Sequence, residues 1–260
     1  MIVLFLISFL SCAVGALSGI GGGVIIKPVL DALTGLGSPA INFISAACVF
    51  TMAAVSAVRH LYKKTTFESV AVYLGIGAIL GGLAGTEIFN AVLQYLQKDA
   101  FMKLLQNILL FLLLCLILAY MNGRNKRKLI IRKRYCVILV GILLGASSSF
   151  LGIGGGPINV AALCFAFSMD IKQATANSMI LILFSQASKI TTILLSGPLP
   201  EDMHPSILFY MLPAAVIGGF LGTSLNKRCT KNVLKYSYNC VMLFVMAICL
   251  WNVGRAVMQQ

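Results

Sequence analysis

Apolar runs long enough to cross a bilayer recur along the whole chain. Continuous hydrophobic stretches cover residues 2–17, 41–62, 67–89, 101–121, 135–151, 172–195, 205–225 and 233–253, and shorter apolar segments cover 24–36 and 157–169. At about 1.5 Å rise per residue, roughly 20 such residues span a hydrocarbon core of about 30 Å. The runs are continuous and not alternating, which excludes a transmembrane β-barrel and predicts an all-α membrane protein.

Two glycine clusters break the pattern at corresponding places. Gly19-Ile20-Gly21-Gly22-Gly23 recurs 133 residues later as Gly152-Ile153-Gly154-Gly155-Gly156. Further along, Gly81-Gly82-Leu83-Ala84-Gly85-Thr86 recurs as Gly218-Gly219-Phe220-Leu221-Gly222-Thr223, and Lys103 with Asn107 recurs as Lys235 with Asn239. Matches in the same order predict two membrane repeats, 1–121 and 135–260, joined by a basic hinge at 122–134. A glycine-interrupted hydrophobic segment at the same place in both halves is the pattern of a repeat-built secondary transporter.

Basic residues orient the repeats. Arg124, Lys126, Arg127, Lys128, Arg132, Lys133 and Arg134 put the hinge in the cytoplasm, together with the loops carrying Arg59, Lys63 and Lys64 and carrying Lys227, Arg228 and Lys231. The nearly neutral 90–100 loop and the 196–204 loop, with Glu201 and Asp202, are assigned outside. Segment 67–89 then runs outward and its partner 205–225 inward, so the repeats are expected to be inverted. Parity requires each Gly-broken segment, 2–36 and 135–169, to be a re-entrant hairpin followed by three transmembrane helices, with both chain termini outside the cell membrane. Irregular backbone at that depth needs protein or water around it.

Composition agrees with this picture and narrows it. Of 260 residues, 59% are hydrophobic and 10% charged, at a mean hydropathy of +0.96, too little polar surface for a soluble globule. The formal charge of +13 lies mostly in short loops, where it reads as topology signal and anionic-lipid contact and not as a nucleic-acid surface. The eight cysteines are scattered without a C-x-x-C pair and read as small buried hydrophobes. The first apolar run has no preceding basic residue, which argues against a cleaved signal peptide.

The chemistry on offer is anion binding. Facing glycine clusters bring unpaired backbone N–H groups and the N-terminal ends of both return helices toward the bilayer midplane, where partial positive charge suits an anion. Gly21, Gly22, Gly23, Gly154, Gly155 and Gly156 are therefore read as substrate lining, whereas Gly81, Gly82, Gly85, Gly218, Gly219 and Gly222 are read as helix-packing positions. Pro157 suits the first turn of its helix. Lys189 is a cation inside an apolar span, where it can attract the anion or snorkel to the outer interface. Lys27 and Asp31, at i and i+4, read as a local ion pair. His60 and His204, at span ends, read as solvated, and Glu68 and Glu87 as interfacial, with a proton-carrying role left open.

G-x-G-G-G after the first apolar run, a proline soon after it and the duplication of the whole resemble the sulfite exporter TauE/SafE family of permeases, over essentially the full chain. Pro28 fits the family pattern; the second copy departs from it, with Ala161 at the matched position and Pro157 directly after the glycines. The resemblance implies transport of a small anion such as sulfite, a sulfonate or another sulfur-containing or organic anion. It also implies small polar residues early in the helix after each hairpin, met here by Asn177 and Ser178 in 174–178 and by Asn42 and Ser45 in the first copy. Asn177, Ser178, Ser185 and Lys189 can share a broad helix face, Gln186 lies on the same helix, and Asn159 adds an amide after the second cluster.

The expected function is an alternating-access permease, with proton coupling open; the alternative is an anion channel with re-entrant loops. No cofactor, metal or enzymatic role is expected, since H-E-x-x-H and Walker A runs are missing and G-I-G-G-G fails the dinucleotide fingerprint. The expected partners are the small anion and the lipid bilayer, with a homodimer left open.

Overall fold

The computed structural model describes residues 1–62, 69–123, 129, 131, 133–197, 199 and 202–258. The hinge cations Arg124, Lys126, Arg127, Lys128 and Arg132, together with Lys63, Lys64, Glu68 and Glu201, lie outside the described residues.

Among the described residues ten helices follow one another: α1 Ile2–Ser18, α2 Gly23–Leu33, α3 Ser38–Tyr62, α4 Ser69–Leu96, α5 Asp99–Asn122, α6 Arg134–Leu151, α7 Gly156–Ala166, α8 Ile171–Leu195, α9 Pro205–Arg228 and α10 Lys231–Met258. Seven of them (α3, α4, α5, α6, α8, α9 and α10) are long and apolar enough to cross a membrane. The protein is an all-helical, multi-pass membrane protein. Helices α2 and α7 have 11 residues each, about 16 Å, and cannot span a bilayer. The short interruptions fall at the two glycine clusters, where Gly19 and Gly152 close α1 and α6 in the left-handed conformation that glycine adopts without a Cβ clash.

The connection between α4 and α5 is shorter than the sequence suggests. The expected 90–100 loop shrinks to residues 97–98, because residues 91–96 contain no glycine or proline and α4 continues to Leu96. Gln97, at φ 52°, ends it.

The halves interlock. A Cβ on Gly81 or Gly85 of α4 would overlap α6 backbone at Ile142 or Ala146, and one on Gly218 or Gly222 of α9 would meet α1 backbone at Phe9 or Ala13. Each first hairpin arm is thus seated in the glycine groove of the other half's helix, the close approach that small residues permit in membranes. In both pairs residue numbers rise together, so α6 runs parallel to α4 and α1 parallel to α9. Helix α8 runs parallel to α4, with Gly75 against Phe184 and Ser188 Oγ donating to the Ile79 carbonyl at 2.8 Å. Helix α3 runs parallel to α9, with Met52 against Gly219 and Ser56 bonded to Thr223 at 2.7 Å. At its N-terminus α8 carries a capping box: Asp170 accepts from the Lys172 and Gln173 backbone, and Gln173 accepts from the Asp170 N–H.

Candidate functional site

The two hairpin tips touch. A Cβ on Gly156 would overlap the Ile20 carbonyl, and one on Gly23 would stand 2.7 Å from the Ile153 carbonyl oxygen. The last glycine of each cluster is therefore the place where the opposite tip's backbone presses. Each tip is held by the helix that follows the other hairpin: Ser178 Oγ donates to the Gly19 carbonyl at 2.8 Å, and Ser45 Oγ to the Gly152 carbonyl at 3.1 Å. Gly21 and Gly154 share a positive φ, whereas Gly22 has φ −64° and its counterpart Gly155 has φ +71°. The tips differ in shape at the position where the second copy has Pro157 next in line but one.

The scaffold is duplicated and both tips have polar neighbours, Gly19 facing Thr175 at the first, but the buried polar atoms without partners gather at the second. Around the first tip, the open faces of Gly21 and Gly22 look onto Ile182, Val49 and Cys12. Around the second, Gly152 faces Asn42 and the Lys27 stem, and Gly155 faces Ser148 and Asn159. Asn42, Ser149, Asn159 and Gln186 are all buried there, and both amide atoms of Asn42, Ser149 Oγ, Asn159 Oδ1 and Gln186 Oε1 have no hydrogen-bond partner among the described residues. Buried polar atoms without partners are rare and costly, so their grouping at one tip is what a hydrogen-bonding ligand requires. Gln186 Nε2 donates to Ser148 Oγ at 3.2 Å and Ser185 Oγ at 3.3 Å, which fixes the amide within this group.

Lys189 supplies the charge. It is 2% exposed and donates to the Ser149 carbonyl at 2.8 Å, so it does not snorkel. Among the described residues no carboxylate forms a salt bridge with it. Lys189 lines a cavity of about 460 Å³ whose wall also includes Asn42, Thr86, Asn90, Ser149, Ser196 and the carboxylate of Asp202, which accepts from the Gly37 N–H. The cavity opens between the N-terminal end of α3 and the C-terminal ends of α4 and α8. Lys27, also 2% exposed, pairs with Asp31 at 3.7 Å, the local ion pair expected from the spacing.

The opposite end of the bundle is bridged shut. The repeat counterparts of Lys189 and Thr86 are Ser56 and Thr223, which hydrogen-bond to each other at 2.7 Å. Around them Lys227 Nζ donates to the Arg59 carbonyl at 2.7 Å, Asn226 to the Leu17 carbonyl at 2.5 Å and Lys172 to the Lys227 carbonyl at 3.2 Å. Arg59 stacks on the Phe220 ring at 3.7 Å and bonds Ser224. His60, expected to be solvated, is 5% exposed, because this end of α9 closes over the last turn of α3.

The residues named from sequence fall into two groups. Gly154, Gly155, Gly156, Asn42, Asn159, Gln186 and Lys189 gather at the second tip, where Ser45 also holds Gly152. Asn177 and Ser178 sit with Gly21, Gly22 and Gly23 near the first tip, Asn177 donating to the Gln173 carbonyl of its own helix at 2.9 Å. Four residues of the site escaped sequence reasoning: Thr86, Gln106, Ser148 and Ser149. Gln106, 1% exposed, donates to the Phe150 carbonyl at 2.5 Å. The signal for two of them was the serine run 147–149 inside an apolar stretch just before the glycine cluster.

Broken hairpins meeting inside a bundle of membrane-length helices, around a buried cation in the wall of a one-sided cavity, define a multi-pass membrane transporter. The chain belongs to the sulfite exporter TauE/SafE family, whose model matches residues 4–249. It is 27% identical over 249 residues to a "Probable membrane transporter protein" of Xylella fastidiosa (strain Temecula1), covering 92% of this chain and 90% of that one. It is 24% identical over 272 residues to the "Probable membrane transporter protein YunE" of Bacillus subtilis, covering 94% and 95%. No solved structure matches the chain.

Proposed function

We propose that this protein carries a small oxyanion, sulfite, a sulfonate or a related sulfur-containing or organic anion, across the cell membrane by alternating access. The anion binds at the second hairpin tip, between Lys189, Asn42, Ser149, Asn159 and Gln186. The observation that carries this reading is the coincidence of an ammonium group lacking a carboxylate partner with a cluster of partnerless buried amides and hydroxyls. One fixed positive charge attracts an anion, the free donors Asn42 Nδ2 and Ser149 Oγ bind it without trapping it, and the amide oxygens of Asn159 and Gln186 can only accept, from a hydroxyl or amine that the anion carries.

In this reading 1–121 and 135–260 are inverted repeats around a cytoplasmic hinge, with both termini outside. It is supported by the helix pairings: α4 is parallel to α8, α3 is parallel to α9, and consecutive spans run in opposite directions, so α3 opposes its counterpart α8. Helices α2 and α7 return without crossing. By the positive-inside rule the open cavity faces outward and the bridged end, with Arg59, Lys172 and Lys227, faces the cytoplasm. Carriers that alternate must close one end while the other is open, and two ends that differ this much in one conformation suit that requirement.

A thermal-shift screen of purified protein against sulfite, sulfate, thiosulfate, sulfoacetate and simple carboxylates tests the assignment. A ligand at 100 times its Kd adds about 2.7 kcal/mol to the stability of the state it binds. At least one oxyanion is expected to raise the melting temperature of the wild-type protein and to leave that of Lys189→Met unchanged. A screen in which no anion shifts the wild type, or in which both proteins shift alike, overturns the assignment.

A further inference from the structure

Lys27 links the candidate anion site to a second cavity. Its stem passes the second tip, where a Cβ on Gly152 would lie 3.1 Å from Lys27 Cδ, and its ammonium group ends 3.7 Å from Asp31 Oδ2. Both side chains are almost wholly buried, at 2% and 3% exposure. Apart from that ion pair, Lys27 Nζ has no hydrogen-bond partner among the described residues, and Asp31 Oδ1 has none either. Asp31 lines a separate cavity of about 430 Å³ between α2, α5 and α10, whose wall also includes Thr34, Lys103, Asn107, Asn252 and Arg255. Asn107 donates to Asp31 Oδ2 at 3.3 Å, and Asn252 braces Asn107 at 3.2 Å.

The acid belongs to one repeat alone. The counterpart of Asp31 is Cys164, which lines the related cavity beside Lys231 and Lys235. A buried carboxylate that the scaffold does not need twice calls for a separate explanation. Its charged surroundings are Lys27 on its own helix, Asp99 and Lys103 on α5, and Arg255 with the Cys249 thiol on α10. Lys189, across the second tip, in turn feels the charge of Lys27.

We propose that Asp31 is the proton-coupling residue of the carrier, taking up one proton each time an anion binds at the second tip. The inference rests on the anion site proposed above. An anion arriving beside Lys189 and Asn42 draws the Lys27 ammonium toward Gly152 and away from Asp31. Asp31 is then a carboxylate with its cation withdrawn, in a place where an uncompensated charge costs several kcal/mol. A hydronium ion in the second cavity gives its proton to a carboxylate oxygen, so that one O–H bond breaks, one forms and the carboxylate is neutralised. When the carrier has reopened to the opposite side and the anion leaves there, Lys27 returns, the O–H bond breaks and the proton is released to water on that same side. One proton therefore moves with each anion, and the Lys27–Asp31 pair acts as the switch.

The test is the ratio of protons to anions moved, in proteoliposomes with an entrapped pH-sensitive dye. Radiolabelled sulfate, thiosulfate and methanesulfonate serve as probes because they stay fully ionised around neutral pH. Wild type is expected to move about one proton per anion, and Asp31→Asn to fall at least about tenfold below that ratio at whatever anion rate it retains. If Asp31→Asn moves no anion, Asp31→Glu is expected to restore both flux and the wild-type ratio. Anion flux in wild type without proton movement, an unchanged ratio in Asp31→Asn, or a silent Asp31→Glu overturns the coupling role. Absence of wild-type flux for every probe would instead overturn the anion-carrier reading on which it rests.

Discussion

The Lys189 ammonium group donates to the Ser149 carbonyl at 2.8 Å, three residues before the glycine that closes α6. That bond ties the C-terminal third of a membrane-length helix to the tip of a broken hairpin. It also aims the cation at a cavity in place of the lipid interface. A lysine so placed keeps two of its three donors for another acceptor.

Asn42→Leu separates binding from stability. Asn42 is 1% exposed and neither amide atom has a partner among the described residues, so leucine, with the same branching and a larger side chain that can extend into the adjoining cavity, removes a desolvated polar group and leaves no void. The variant is expected to melt at or above the wild-type temperature in detergent. Its affinity for the stabilising oxyanion is expected to fall about tenfold, the cost of one hydrogen bond to a charged group. Titration by thermal shift measures both quantities.

Glycine positions at the tip contact are sterically fixed. Gly156→Ala places a methyl group inside the Ile20 backbone, and overpacking against main chain costs about 1–3 kcal/mol or more. Gly254→Ala, where a Cβ meets nothing within 4 Å, is expected to be neutral or mildly stabilising in its helix. Melting of the two variants side by side checks the difference.

Asp170 makes the N-terminus of α8 sensitive to acid. Partial burial raises its pKa, but Lys231 at 2.9 Å and the Gln173 and Lys172 N–H groups outweigh that and hold the carboxyl below its ordinary value. A group whose folded pKa is depressed stabilises the protein above its unfolded pKa, and the contribution is lost as pH falls through the folded value. Stability from this cap is therefore expected to hold at neutral pH and to fade below about pH 4. Asp170→Ala is expected to cost about 1 kcal/mol at pH 7 and to differ little from wild type at pH 3. Urea or thermal melts at the two pH values measure it.

Cysteine accessibility tests the direction of opening. Cysteine at Ile193 or Asn90, both in the wall of the open cavity, is expected to react with a membrane-impermeant maleimide added outside cells, above the background of the native thiols. Cysteine at Ser56, hydrogen-bonded to Thr223 at the closed end, is expected to be protected. Labelling of Ser56→Cys from outside with Ile193→Cys silent would reverse the orientation.

Much of the helical framework was legible in the chain because continuous apolar runs, glycine breaks and matches recurring in the same order 132 to 137 residues later are one-dimensional signals. The glycine triplets and their recurrence pointed to two bent hairpins. The spaced glycines at 81, 85, 218 and 222 marked the grooves into which α6 and α1 fit. The asymmetry of the lining was hidden. Asn177 and Lys189 share a helix, but α8 passes both tips, so the first lies near Gly19 and the second near Gly152. Gln106, far away in sequence on α5, reaches the second tip only through tertiary packing. His60 was misjudged for the same reason, since the turn of α9 that buries it is far away in sequence.

Counterflow of labelled sulfite in proteoliposomes, wild type against Lys189→Met, tests the central claim most directly. The account predicts saturable exchange in the wild type, which a channel would not give, and its loss in a variant that still elutes as folded protein. Equal counterflow in both proteins would contradict an anion site at the second hairpin tip.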